Sequence, residues 1–247
     1  MTSGRLVSVA MRQSPRSDLH QDASSDVLLF DFGGTLDADG LRWSVRFHHA
    51  YAAAGGSLAF ESFEPFFRAS DQALERLVGI RNMDLRQMAA AQATVLLSLL
   101  PDSQALDADR IAMSFHAETL AAVEHNRPLL TDLAARHRLG IVSNFTGNLH
   151  RCLDELALAP LFSAVMDSAV VGCSKPDPRI FQQALAALGA APSDAWMIGD
   201  NFEADIRPAA ALGLRTCWIA PAERPWPTEN VGTARIARLV ELSAVLR

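Results

Sequence analysis

Five short apolar runs constrain this chain more than any other feature. Val27–Phe30 is continuously apolar and β-prone, and Leu139–Val142, Ala164–Met166, Trp196–Ile198 and Leu214–Ile219 are similar runs, the pattern of strands covered on both faces. Helix-length segments separate the later runs. Asp177-Pro178 predicts a helix start with Pro178 in the first turn. Ile180, Phe181, Ala184, Leu185 and Leu188 then form one apolar stripe that Gly189 can close. Asp205 to Gly213 repeats the pattern on a shorter scale, and Ala234 to Leu246 predicts a last short strand and a closing helix. Such strand–helix alternation gives an α/β fold with a doubly wound parallel sheet.

The first interval breaks the rhythm. Residues 41–125 carry no clear strand, but Glu64–Val78, Asp84–Leu100 and Asp107–Glu124 show apolar residues at helical spacing. Pro101 and Pro128 punctuate this region. A loop of that length is implausible inside a compact domain, so the interval reads as a helical subdomain inserted after the first strand. The expected division is a loose tail at 1–25, a core made of 26–40 and 126–247, and the insertion at 41–125.

Composition excludes several functions. The net charge of −6 argues against general nucleic-acid binding, which needs a basic face. No apolar run approaches a membrane span, and the tail lacks the apolar segment of a signal peptide. Cys152, Cys173 and Cys217 form neither a CxxC pair nor a metal-ligand spacing, which predicts reduced thiols and a cytoplasmic location. Monomer and homodimer are equally compatible with this composition. The chain has 22 cationic residues, and Lys175 is its single lysine.

Polar residues sit where the apolar runs end. Asp31 follows the first, Ser143-Asn144 the run ending at Val142, and Gly199-Asp200 the run ending at Ile198; Lys175 lies just past Val170-Val171. Ligands of open parallel sheets bind beyond the carboxyl ends of the strands, so these groups are expected at one edge. A carboxylate there can attack phosphorus and become an acyl phosphate. Asp31 and Asp200 supply hard oxygens of the kind Mg²⁺ prefers, and Lys175 supplies a cation for the phosphoryl group. Ser143 and the backbone near Gly34-Thr35 can donate to its oxygens.

The segments DFGGTL at 31–36, VSN at 142–144, SKPDP at 174–178 and GDNFEAD at 199–205 together resemble the haloacid dehalogenase superfamily. The resemblance spans residues 27 to about 220 and implies a Rossmann-like core with an α-helical cap. It implies Asp31 as nucleophile, with Ser143, Asn144, Lys175, Gly34 and Thr35 around the phosphate of a small phosphorylated metabolite. It further implies Mg²⁺ held by Asp31, Asp200 and the Gly33 carbonyl, with Asp205 in support.

Gly33 departs from the family pattern, whose phosphatases carry there an Asp that protonates the leaving alcohol and later activates water. Asp37, Asp39, His48 and His49 are the nearby substitutes, although turn-forming or surface roles are the simpler reading of each. An acid restored at position 33 is expected to raise turnover. The alternatives are a phosphate-binding regulatory protein that turns nothing over and, less favoured, a haloacid dehalogenase, whose carboxylate substrate Asp200 and Asp205 would repel. Arg42, Arg46, Arg68, Arg76 and Arg81 read as a solvated face of the cap, and Trp43 and Phe47 as packing at its hinge.

Overall fold

A computed structural model describes residues 26–246 except 102, 104, 228–230 and 232–233. The expected tail at 1–25 lies outside the described residues. Six parallel strands form one sheet: β1 Val27–Phe30, β2 Arg138–Ser143, β3 Ala164–Asp167, β4 Ala195–Gly199, β5 Arg215–Ile219 and β6 Ala234–Ile236. Their order is β3-β2-β1-β4-β5-β6. The chain therefore runs outward from β1 on one side, returns, and runs outward on the other. That reversal opens a crevice beside β1. Register pairs Phe30 with Ile198 and with Ile141, so the residues after β1, β4 and β2 emerge together.

Four helices make up the insertion: α1 Trp43–Ala53, α2 Phe60–Leu74, α3 Leu85–Leu99 and α4 Ala108–Arg136. The core helices are α5 Leu149–Glu155, α6 Ser168–Val171, α7 Pro178–Leu188, α8 Arg207–Ala211 and α9 Leu242–Val245. Among the described residues, no helix is long and apolar enough to cross a membrane. The three cysteines are free thiols.

Several boundaries follow directly from the residues. Asp84 opens α3 with a reciprocal cap, accepting from the Gln87 N–H while the Gln87 side chain accepts from the Asp84 N–H. Asp177 caps α7, and Gly189 closes it in the left-handed conformation. Other expectations shift. The run at Val170-Val171 lies in the short helix α6, and β3 extends one residue beyond the expected Ala164–Met166, ending at the polar residue Asp167. The helix expected at 107–124 continues to Arg136 as one element of 29 residues. Pro128 does not stop it because Pro128 lies on an exposed face, where the carbonyl freed by its missing N–H can be hydrated. This helix carries Val123 within the insertion and Leu130 and Leu133 against the sheet, and hands the chain directly to β2.

The larger apolar cluster is continuous from the sheet into the helical insertion, including Phe30, Phe32, Phe47, Phe63 and Phe115. A column of rings marks the junction. Phe32 meets Phe145 edge-on at 5.7 Å, Trp43 meets Phe145 at 5.9 Å and Phe115 at 5.0 Å, and Phe47 stacks on Phe115 at 4.3 Å. Trp43 packs where insertion meets core, whereas the rings against Phe47, those of Phe67 and Phe115, belong to the insertion.

Arg46 corrects the reading of a solvated arginine face. It is 1% exposed and lies over the Phe115 ring at 4.1 Å. Its guanidinium donates to Asp37 Oδ2 at 2.8 Å, to the Phe115 carbonyl at 2.9 Å and to Thr119 Oγ1 at 2.6 Å. One side chain thus joins the loop after β1, helix α1 and helix α4. Helical spacing alone could not distinguish this inward position from the outward ones.

Removing one partner of a buried ion pair leaves the other charge uncompensated, a loss of about 3–5 kcal/mol. Arg46→Ala is expected to lower the urea midpoint by a corresponding amount. Arg68→Ala, which removes the exposed pair with Glu64 at 3.1 Å, should cost less than about 1 kcal/mol. Equal losses in the two variants would contradict the structural role given to Arg46.

Candidate active site

Asp31 is positioned by the sheet itself. Its N–H donates to the Ile198 carbonyl at 2.9 Å, extending the β1–β4 ladder by one bond. Its side chain enters a cavity of about 470 Å³ whose core wall includes Ser143, Lys175, Asp200 and Asp205. Lys175 Nζ lies 2.7 Å from Asp31 Oδ1 and 2.6 Å from Asp205 Oδ1. Ligand oxygens of Asp31, Asp200 and Asp205 all lie within 4.8 Å of one another.

The loops around these groups leave little freedom. Gly34 is left-handed at φ 88°, and a Cβ on it would stand 2.7 Å from the Asp200 carboxylate. The Asp205 Oδ2 accepts from the Asn201 N–H at 3.0 Å, and Asn201 caps the turn that carries Asp205 by accepting from Glu203 and Ala204. Asn144 spends both ends of its amide on the Lys175 backbone: Oδ1 accepts from the Lys175 N–H at 2.7 Å, and Nδ2 donates to its carbonyl at 2.9 Å. Its side chain positions the lysine, which differs from the expected role as a phosphate ligand.

Three buried carboxylates around one ammonium leave an excess of negative charge. Burial raises the Asp200 carboxyl well above its ordinary value, and Asp31 and Asp205 raise it further. Burial also lifts Asp205, against the opposing pull of Lys175. Burial disfavours the Lys175 ammonium, but Asp205 and Asp31 outweigh it and hold the pKa above that of a free lysine. A hard divalent cation would relieve this excess, and an all-oxygen donor set suits Mg²⁺. The residues present therefore fit the metal.

Other expectations need correction. Gly34 and Thr35 were expected to donate to phosphate. The Gly34 N–H is instead committed to Asp37 Oδ1 at 2.6 Å. Thr35 is fully buried, with an Oγ1 that has no hydrogen-bond partner among the described residues. Neither residue lines the cavity.

Asp37 is not a substitute acid. It is fully buried, and its other oxygen receives both the Trp43 indole N–H at 2.6 Å and Arg46. Burial raises its pKa, while Arg46 and the hydrogen bonds oppose that rise. Asp39 holds the Leu239 N–H at 2.8 Å and the Asn126 amide at 3.3 Å. His48 is bonded to the Leu58 carbonyl at 2.9 Å, and His49 is exposed on α1; neither reaches the cavity.

The space expected for an acid at position 33 is tight. A Cβ on Gly33 would meet Trp43 Nε1 at 3.2 Å and Cε2 at 3.4 Å. Asp167 is a further structural residue that sequence reasoning missed. It accepts from the N–H groups of Gly147, Leu149 and Ala169 at 3.0–3.2 Å, ordering the loop that carries Phe145 and Thr146. Its signal was available as the first polar residue after an apolar run, but the strand end was placed one residue too early.

Comparison with known proteins agrees with this geometry. Residues 26–213 match the family model described as haloacid dehalogenase-like hydrolase. A phosphoserine phosphatase from Thermus thermophilus is 40% identical over 105 residues, 42% of each chain. A ribulose-1,5-bisphosphate 5-phosphatase from Halopiger xanaduensis is 29% identical over 187 residues, covering 74% of this chain and 78% of the relative. The chain spans about half the length of the first curated relatives it matches. A magnesium-bound hydrolase of the same superfamily from Bacillus subtilis shares the fold, with a TM-score of 0.56 and 21% identity over 91% of this chain and 99% of its own.

The Trp43 contact reverses the expectation for an acid at position 33. A side chain there must push the indole by a few tenths of an ångström and strain its bond to Asp37, and overpacking of this kind costs about 1–3 kcal/mol. Gly33→Asp is expected to lower the melting temperature and bring no gain in turnover. A variant more active than the parent at unchanged stability would contradict this assignment.

Proposed function

Because the chain belongs to the haloacid dehalogenase-like hydrolase family, we propose that it is a Mg²⁺-dependent phosphohydrolase. Its substrate is a small phosphorylated metabolite, and its intermediate is an aspartyl phosphate on Asp31. The observation that carries this reading is the cluster of Asp31, Asp200 and Asp205, two of them paired with the Lys175 ammonium, in a cavity sized for a metabolite. The phosphatase names of the two curated relatives support the same reaction class.

Asp31 makes the bond to phosphorus. Lys175 holds Oδ1 of Asp31, which fixes the carboxylate plane and leaves Oδ2 as the attacking oxygen. Lys175 and Ser143 hold the phosphoryl oxygens, and both side chains line the cavity. Asp31, Asp200 and the Gly33 carbonyl would hold Mg²⁺, while Asp205 keeps Lys175 in place. The metal would supply charge neutralisation between the attacking carboxylate and the phosphoryl oxygens. Water then attacks the aspartyl phosphate, releasing inorganic phosphate and restoring Asp31. The buried carboxylates disfavour the dehalogenase alternative, because a substrate carboxylate would enter a site already rich in negative charge.

The test is turnover of p-nitrophenyl phosphate and acetyl phosphate with and without Mg²⁺. Chelation by EDTA and the Asp31→Asn change should each abolish phosphate release. Asp200→Asn should lower turnover at limiting Mg²⁺ by a factor of a hundred or more, on the scale of losing one electrostatic contact to a transition state, about 10²–10³. Tight phosphate binding with no turnover of any substrate would support a regulatory protein instead.

A further inference from the structure

Glycine at position 33 leaves the leaving group without its usual proton donor, and the cavity shows where another can come from. Asp31 and the phosphoryl-binding groups form the core wall. In-line displacement drives the leaving oxygen away from the attacking carboxylate, toward the facing wall. Helices α1 and α2, with their flanking residues, line the side of the cavity that the insertion contributes, which we take as that facing wall. Among the described residues, its only carboxylates are Asp71, in the last turn of α2, and Glu75, one turn on.

We infer that Asp71 is the general acid–base of this hydrolase, supplied by the helical insertion in place of an acid at position 33. This rests on the phosphohydrolase reading above. As Asp31 bonds to phosphorus, the P–O bond to the leaving group breaks, and protonated Asp71 transfers its proton to the departing alkoxide. The resulting Asp71 carboxylate then takes a proton from the water that attacks the aspartyl phosphate. Asp31 leaves as a carboxylate, inorganic phosphate departs, and Asp71 is again protonated.

The surroundings of Asp71 suit both halves of the cycle. Asp71 lines the cavity with part of its surface exposed, and the protein around it desolvates the rest. This desolvation, and then the neighbouring Glu75 carboxylate, raise its pKa to about 6. The carboxyl end of α2 adds a further penalty on negative charge there. Arg42 stands at the start of α1, and Lys175, Asp31, Asp200 and Asp205 occupy the opposite wall. From α3, Met88 lines the cavity and Gln92 bonds Ser70; neither is charged. A carboxyl with a pKa near neutrality is populated in both forms at working pH, as a group that first donates and then accepts requires.

The experiment is a leaving-group series. kcat/KM is measured for alkyl phosphates, p-nitrophenyl phosphate and acetyl phosphate in the parent, Asp71→Asn and Glu75→Gln, with Asp31→Asn as reference. In Asp71→Asn, kcat/KM for alkyl phosphates should fall by about 10²–10⁴, the usual contribution of a general acid. For acetyl and p-nitrophenyl phosphate, whose leaving groups depart without protonation, the loss should stay below about tenfold.

The parent should also lose kcat/KM for alkyl phosphates as pH rises above about 6, because the donor must be protonated. This limb should vanish in Asp71→Asn. In Glu75→Gln it should shift to lower pH, since removing a neighbouring negative charge makes Asp71 a stronger acid. Melting temperature separates these effects from misfolding. Asp71→Asn replaces a carboxylate that burial disfavours when charged, so its stability should hold or rise at pH 8. Equal losses for good and poor leaving groups, or no loss, would overturn the assignment to Asp71; a selective loss in Glu75→Gln instead would move the role to Glu75. If Asp31→Asn retained turnover, the aspartyl-phosphate reading itself would fail, whatever Asp71→Asn did.

Discussion

A single ammonium allows three carboxylates to share the floor of this cavity. Asp31, Asp200 and Asp205 come from the ends of β1 and β4 and from the turn after β4, and the sheet register brings them together regardless of their charge. Without a cation among them, burial would force at least one to remain protonated. Lys175 offsets part of this by bonding Asp31 and Asp205 at once, while the Asp200 carboxyl is still raised well above its ordinary value. Asn144 in turn fixes the Lys175 backbone from the end of β2. The loop glycines follow from the same crowding, since Gly34 and Gly199 have carboxylates where their side chains would be.

A second buried charge governs how the helical insertion meets this floor. Asp37 accepts from the Gly34 N–H with one oxygen and from Trp43 and Arg46 with the other. Its first bond shapes the turn beside Asp31, while its others reach α1 and, through Arg46, α4. The conformation next to Asp31 is therefore tied to the position of the insertion. Trp43 makes the tie steric as well as polar, because its indole packs on Gly33 while its rim touches Phe115 and Phe145. A glycine at position 33 is thus half of a packing arrangement whose other half lies ten residues away.

This explains what the sequence could and could not disclose. Asp31, Ser143, Lys175, Asp200 and Asp205 were legible because each sits in a short word adjoining a strand, and parallel strands deliver their carboxyl ends to one edge. The sheet and the helices α3 and α7 were legible through caps and stripes that act locally. Arg46 was not, because one-dimensional spacing does not say which side of a helix has a neighbour. Asp71 escaped for the same reason: it looks like a solvated acid on an amphipathic helix until the cavity shows what it faces. The donor role expected for Gly34 failed because a backbone N–H appears free in any sequence, and only the fold reveals that Asp37 has claimed it.

Placing the proton donor on the insertion changes what the acid depends on. An acid at position 33 would be held by the same turn as the nucleophile and would be present whenever that turn is formed. Asp71 is held by α2, which reaches the core through α1, α3 and the ring column around Trp43. Proton transfer needs heavy atoms within about 3 Å, so small displacements of α2 relative to β1 decide whether the donor is in reach. The Asp37–Arg46 pair and the stacked rings are the contacts that limit such displacements. The buried packing at this junction, which looks purely structural, thereby sets the distance over which the cap-borne carboxyl must act.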